Sequence, residues 1–338
     1  MIKINQKSIS SKGSMTVEHF FQRTKDRFSL KLLSKNKEGF KRLITDYNLH
    51  RPGLALAGFV DLFSFSRIQI CGNTEMRYLE QLTKEERKEK LSRLGDFEIP
   101  CVIITDKNKP FDEIIEAAEK NGFCVFGSEY STTKLTYLLT DLLEDHFAPR
   151  LSIHGSFVDV YGIGMLFVGN SGIGKSEVAL DLVERGHRLV ADDVVIFTKK
   201  GEGIIIGSGT EIAKHFMEVR GIGIIDIRSM FGIRAIRYQK RLEIIVEMEV
   251  WDDNTDYTRT GLDPETINIL GINIKYIKLP IVPGKNLTVI SEVIALNYLL
   301  NHSGYNAAQV FQDNLLKRLK KKSKGVDRIV DYFEHDFE

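Results

Sequence analysis

The sequence predicts an α/β protein of two domains, an open α/β domain followed by a domain built around a phosphate-binding loop. Three observations carry that prediction. Short apolar runs alternate with stretches of helical spacing from Thr16 onward, which favours an open sheet with helices packed on it. The length of 338 residues accommodates two domains of ordinary size. The octapeptide Gly169-Asn170-Ser171-Gly172-Ile173-Gly174-Lys175-Ser176 stands between an apolar run and an amphipathic stretch, the setting a phosphate loop requires.

That octapeptide fits the spacing of glycine, four residues, then Gly-Lys-Ser. Met165-Leu166-Phe167-Val168 before it reads as a buried strand. After it, Val178, Ala179, Leu182 and Val183 share one helical face up to Gly186. Glycines let backbone N–H groups turn toward phosphate oxygens, and the helix N-terminus adds partial positive charge. In this pattern Lys175 reaches the terminal phosphates of a nucleotide and the Ser176 hydroxyl coordinates Mg²⁺. A glycine turn with an incidental lysine leaves both flanks unexplained.

Composition narrows the class. Hydrophobic content of 43% and charged content of 28% describe a soluble globular chain. A net charge of +1 gives no general pull toward nucleic acid or an anionic membrane. Cys71, Cys101 and Cys124 are far apart, odd in number and without metal spacing, as reduced core thiols are. The apolar run 54–65 is broken by Asp61, and the first residues lack a basic-then-apolar leader. A cytoplasmic protein is expected.

Residues 1–14 are rich in Ser, Lys and Asn and read as a disordered extension ahead of a natural start at Met15. The first domain is expected over 15–147. Within it Val17, Phe20 and Phe21 suit a short buried segment, and 39–44 suits a helix. Strands are expected at 67–71, 100–104 and 124–126, with helices from 74, over 111–120 and over 131–144. The charged stretch 83–90 reads as a solvated helix face. No phosphate loop, metal cluster or nucleophile constellation appears there, so the sequence assigns this domain no chemistry.

The boundary falls at 145–150, around Pro149, and the second domain runs over 148–338. Strands are expected at 157–161, 165–168, 189–191, 194–197 and 203–206, and 241–250 reads as one long β-prone run. Val289, Val293, Leu296 and Leu300 mark one face of a late helix. The end is polarised, basic over 317–324 and acidic over 331–338. A solvated helix end explains the basic run, with partner docking as the alternative.

Other residues offer chemistry. Asp192-Asp193 stands between two apolar half-strands, where an unpaired buried charge is costly. One carboxylate is placed to bind Mg²⁺ and the other is then free to act as a base, since two carboxylates sharing a site push their proton affinities apart; a solvated pair capping a turn is the alternative. In Glu218-Val219-Arg220-Gly221-Ile222-Gly223-Ile224-Ile225-Asp226 the glycines beside an arginine suggest backbone bent around an anion, with Glu218 available to a hard cation. A glycine-rich bend holding a salt bridge explains the same stretch. His154 and Arg259 are lone residues that spacing does not raise above structural roles, and Pro280-Ile281-Val282-Pro283-Gly284-Lys285 reads as a rigid turn with a cation at its tip.

Taken together, several segments resemble the bifunctional HPr kinase/phosphorylase family. They are Arg51-Pro52-Gly53-Leu54-Ala55-Leu56-Ala57-Gly58, His154-Gly155, residues 169–176, 185–193 and 217–226, Arg259 with Gly261-Leu262-Asp263, residues 280–285, and 304–308. The resemblance covers roughly 15–319 and implies a C-terminal P-loop kinase domain similar in fold to phosphoenolpyruvate carboxykinase. It also implies a homohexamer built through that domain. Its implied activity is ATP-dependent phosphorylation of a regulatory serine of the phosphocarrier protein HPr, with pyrophosphate as a further conceivable donor. The implied reverse reaction is phosphorolysis of phosphoseryl-HPr by inorganic phosphate, giving pyrophosphate, in the control of carbon catabolite repression.

Residue by residue, the resemblance makes 169–176 the nucleotide site and Ser176 with Glu218 the Mg²⁺ ligands. His154, Lys175, Asp193 and Arg259 become active-site residues, with Asp193 the proton acceptor of phosphorylation and proton donor of the reverse. It ties Met217 through Asp226 to both activities and 280–285 mainly to dephosphorylation. Asn170, where an acidic residue is common, and Thr260, where an apolar one is, depart from the pattern without removing an assigned side chain. Two rivals stand beside this reading: a phosphotransferase of similar fold acting on a small molecule, and a nucleotide-sensing module without catalysis. The basic run near the C-terminus mildly favours a protein substrate.

Overall fold

The computed structural model describes residues 9–10, 13–252, 265–282 and 284–323. The chain divides between Pro149 and Arg150 into two compact units. Ile9–Ser10, within the expected extension, forms a two-residue strand.

The N-terminal unit is built on five strands: β1 (Lys31–Leu32), β2 (Leu49–His50), β3 (Ile68–Cys71), β4 (Cys101–Ile104) and β5 (Cys124–Gly127). Their order is β1-β5-β4-β3-β2, parallel except for the β1–β5 pair. Alternate residues feed two cores, one on each face, which is why the strands read as continuous apolar runs. Ile68, Ile70, Cys101, Ile103 and Phe126 pack on α1 (Val17–Thr24) and α5 (Thr132–Phe147). Cys71, Val102, Ile104 and Val125 face α2 (Asn73–Glu80), α3 (Lys84–Gly95) and α4 (Asp112–Asn121). All three cysteines are free and buried, and burial pushes the Cys71 thiol up to about 12. The expected helix at 39–44 is instead a 3₁₀ turn, Glu38–Lys41, followed by the short strand Leu43–Ile44. Gly39 there lies so close to the backbone of Phe123 and Cys124 that no side chain fits.

The C-terminal unit has two sheets. One runs β6 (Arg150–His154), β10 (Val194–Lys200), β11 (Ile204–Gly209) and β14 (Gln239–Arg241), all antiparallel. The other has the order β9-β7-β8-β15-β17-β16, from β7 (Ser156–Val160), β8 (Ile163–Gly169), β9 (Arg188–Ala191), β15 (Ile244–Val250), β16 (Thr266–Ile269) and β17 (Ile272–Ile281). β8, β15 and β17 are mutually parallel, so their C-terminal ends meet at one edge, where open α/β sheets place their ligands. Between the sheets lie Leu166, Val168, Phe157, Phe197 and Ile245. On the far face Met165, Phe167, Val246 and Met248 pack beneath α6 (Lys175–Glu184). The hairpin β12 (Phe216–Val219) and β13 (Gly223–Asp226) lies beside α6, followed by α7 (Ile227–Phe231), α8 (Leu287–His302) and α9 (Ala307–Ser323).

One expectation needs correction here, and the late helix, present as expected, adds a finding. The run 241–250 is not one strand: after Arg241 the chain leaves one sheet and enters the other at Ile244, with Leu242 N–H on Ile205 O and Glu243 N–H on Gly164 O. In α8 the apolar face marked by Val289, Val293, Leu296 and Leu300 is exposed in the single chain. The residues it buries are Thr288, Ser291, Glu292 and Ala295, short side chains plus a carboxylate held by Arg185 and His187.

Candidate active site

The site grows from the end of β8. Its pairing with β15 carries Gly169 to a position opposite Met248, after which the chain turns through residues 169–176 into α6. Gly172 and Gly174 have φ of +80° and +100°, the left-handed region that an L side chain avoids. The Lys175 ammonium folds back over the loop and donates to Gly169 O at 3.1 Å and Asn170 O at 3.0 Å. Val178 and Leu182 lock α6 into the core, so the helix N-terminus is fixed in direction.

At that N-terminus the two acidic side chains part. Asp192, 4% exposed, accepts from Ser176 Oγ at 3.1 and 2.9 Å through its two oxygens, and from Ser156 Oγ. Burial raises the Asp192 carboxyl above the ordinary carboxylate range, and the Asp193 charge adds to that. The hydroxyls and the Asp193 backbone act in the opposite sense. Asp193 sits at φ +64°, the central residue of a three-residue turn closed by Val194 N–H on Asp192 O at 2.9 Å. Such a backbone is strained for a non-glycine residue. It throws the carboxylate outward, 73% exposed, 3.5 Å from His154 Nδ1. His154 is brought there because it pairs with Val194 at the end of β6.

The stretch 217–226 is a tight hairpin. Met217 and Val219 are buried beside α6 while Glu218, alternating with them, is exposed. Arg220, at the turn, donates from Nη2 to Ser171 Oγ at 3.1 Å, so hairpin and glycine loop touch. Ile222 and Ile224 are exposed, and Asp226 caps α7 by accepting from Arg228 N and Ser229 N. Pro280–Ile281 ends β17 at the same sheet edge, two strands from the glycine loop. Lys285 there donates its N–H to Val282 O and lays its ammonium 5.6 Å from the Trp251 ring centre. Arg259 and Pro283 lie outside the described residues.

Sequence reasoning missed two supports. Ser156, fully buried beneath Asp192, carries no mark in the sequence beyond following His154-Gly155. The clamp of Arg185 and His187 on Glu292, at 2.7 and 3.0 Å, ties the far end of α6 to α8; its one signal is a glutamate inside an apolar helix. For a metal, the donors at Ser176 are hard oxygens, as Mg²⁺ prefers, and Mg²⁺ needs only one or two protein groups besides phosphate. Among the described residues no three of His, Cys, Asp or Glu gather as a metal cage. The residues fit Mg²⁺ held partly by a bound phosphate.

A glycine loop at a strand–helix junction, with a buried carboxylate on its serine and an exposed one beside it, defines a phosphate-handling α/β protein. Comparison narrows this further. The family described as HPr Serine kinase N terminus matches residues 15–143, and that described as HPr Serine kinase C-terminal domain matches 145–315. The HPr kinase/phosphorylase of Chloroherpeton thalassium is 50% identical over 331 residues, spanning 97% of this chain and 97% of its own. That of Prosthecochloris aestuarii is 50% identical over 331 residues, spanning 96% and 97%. A solved structure of the Hpr(Ser) kinase/phosphatase from Coxiella burnetii is 34% identical, spans 47% of this chain and 97% of its own, and has a TM-score of 0.43. The chain belongs to the HPr kinase/phosphorylase family, a family of kinase/phosphorylase enzymes.

Proposed function

We propose that this chain phosphorylates a serine of HPr with ATP and reverses the reaction by phosphorolysis, within carbon catabolite repression. One observation carries the reading most: Asp192 is committed to the Ser176 hydroxyl while the adjacent Asp193 is solvent-exposed beside His154. In the forward direction Asp193 takes the serine proton as the serine oxygen attacks the terminal phosphorus and ADP leaves. In reverse, inorganic phosphate attacks phosphoserine, Asp193 returns the proton to the departing serine oxygen, and pyrophosphate is released. His154, 3.5 Å from the Asp193 carboxylate, orients it. Lys175 releases the loop carbonyls to bind phosphate oxygens, and Arg259 steadies the transferring group. Ser176 and Glu218 hold Mg²⁺, which supplies charge neutralisation on the phosphates. The enzyme works in the cytoplasm as a homohexamer, through a catalytic fold resembling phosphoenolpyruvate carboxykinase.

No helix among the described residues is long and apolar enough to cross a membrane. Incubation with labelled ATP, Mg²⁺ and HPr should yield labelled phosphoserine, and phosphoseryl-HPr with inorganic phosphate should yield pyrophosphate. Failure of both rejects the assignment.

A further inference from the structure

Arg220 is explained neither by the spacing of the glycine loop nor by the acidic pair. It stands at the turn between β12 and β13, whose Met217 and Val219 are buried in the same cluster as Val178, Ala179 and Leu182 of α6. That anchoring aims the turn at the loop. There Nη2 meets Ser171 Oγ, and the guanidinium lies over Gly172, where a side chain's first carbon would come within 2.5 Å of Nη1 and 3.1 Å of Cζ. A side chain there would push the guanidinium aside, so the glycine leaves room for this cation to lie on the loop as well as allowing the backbone turn. A guanidinium carries five N–H donors in a planar fork. Among the described residues Arg220 forms one side-chain hydrogen bond, to a neutral hydroxyl, and no ion pair with a carboxylate. Lys175 already brings one positive charge to the same eight residues. A second on the same loop is favourable when an anion lies between them.

We infer that Arg220 is a phosphate-gripping residue of this site, delivered by the hairpin, whose fork takes the terminal phosphate of a nucleoside triphosphate in one direction and of pyrophosphate in the other. Ser171 is the placeholder that the phosphate oxygens replace. This rests on the phosphotransfer reading above and extends it by making the hairpin part of the anion site.

The test is calorimetric binding of pyrophosphate and of ADP, each with Mg²⁺, to the full chain and to R220A and R220K. R220A should bind pyrophosphate roughly ten- to a hundredfold more weakly, the loss expected for charge-assisted bonds to one phosphate. ADP, lacking the terminal phosphate, should bind within about threefold of wild type. R220K should recover little, because a point charge does not reproduce a fork. The melting temperature should not change, since Arg220 is exposed. An arginine that merely clips the hairpin to the loop predicts a lower melting temperature and equal losses for ADP and pyrophosphate; that outcome overturns the inference. Unchanged pyrophosphate affinity in R220A overturns it too, and leaves the enzyme assignment standing. A wild type that binds pyrophosphate but never releases it from phosphoseryl-HPr rejects the assignment instead.

Discussion

The two units place similar side chains at similar points of their folds and use them differently. In the N-terminal unit Asp106 follows β4 at φ +61°, just beyond the C-terminal edge of a parallel sheet. Its Oδ2 accepts from Thr105 Oγ1 and Thr132 Oγ1 at 2.9 Å each, and from Thr132 N, the first N–H of α5, at 3.2 Å. In the C-terminal unit Asp193 has the same sign of φ at a strand end, yet it faces solvent with His154 beside it. Position at a strand end does not make a site. What separates the two is whether the carboxylate's lone pairs are already taken.

The sharpest way to break this comparison is to neutralise the free carboxylate. D193N should lower the transfer rate by roughly a hundred- to ten-thousandfold, the range for loss of a positioned base, with nucleotide affinity and melting temperature unchanged. D106N should do the reverse, lowering stability and leaving transfer intact. Single-turnover phosphorylation of HPr beside thermal melts of both variants checks the pair. A D193N enzyme that keeps most of its rate removes Asp193 from the mechanism.

How much of this contrast was legible in the sequence follows from its physics. The glycine loop and its flanking strand and helix were, because turn chemistry and apolar periodicity are local. So was the acidic pair between half-strands, since a buried strand cannot end in two idle charges. Local pattern does not say which side of an amphipathic helix the protein covers. In α8 it covers Ser291, Glu292 and Ala295 because Arg185 and His187 satisfy the carboxylate, and those residues lie more than a hundred positions earlier. Nor can a β-prone run reveal that the chain changes sheets at Leu242, where the deciding hydrogen bonds go to Ile205 and Gly164. Ser156 was invisible for the same reason: its partner, Asp192, is distant in sequence.

Next in size is a lesion in a committed carboxylate. Glu113, 4% exposed in its side chain, pairs with Arg87 at 3.1 Å. E113A leaves that guanidinium in a largely buried setting without its partner and should cost about 3 kcal/mol. The loss should appear as earlier unfolding of the N-terminal unit in denaturant, with HPr phosphorylation by the still-folded enzyme unchanged. A fall in the transfer rate at equal folded fraction would mean that the first unit supports the chemistry after all.

A smaller effect shows where the units are alike. Arg185, aided by His187, holds the Glu292 carboxyl below its usual range against the opposing effect of burial. Because the folded-state value lies below the unfolded one of about 4.3, this pairing stabilises the protein fully above that pH and is lost as pH falls through the folded value. E292Q should therefore be less stable than wild type at pH 7, with the gap closing in acid. Glu113 is shifted in the same direction, because against the raising effect of burial its own backbone N–H and the Arg87 pairing prevail, which gives the N-terminal unit the same acid limb. Denaturant midpoints from pH 7 down to 3 measure both, and a gap that stays constant over that range refutes the linkage.

The smallest expected effect isolates a purely structural polar group. At the start of α3 the Thr83 hydroxyl accepts from Glu86 N at 3.3 Å, while the Glu86 carboxylate accepts from Thr83 N at 2.8 Å. The Thr-x-x-Glu spacing is that of a capping box, and the helix it opens presents mostly charge to solvent. Its stability therefore leans on the cap more than on burial. T83A should cost about 1 kcal/mol and leave both directions of the HPr reaction untouched. Glu86 keeps the bond from the backbone N–H of residue 83, which does most to lower its carboxyl, and loses only the one from the Thr83 hydroxyl, so the carboxyl should rise part of the way toward the ordinary value, which an NMR titration of that side chain would register. A T83A protein with unchanged stability would show that α3 is held by Leu91 and Leu94 alone, and that the N-terminal unit spends fewer of its polar groups on structure than the contrast with Asp193 requires.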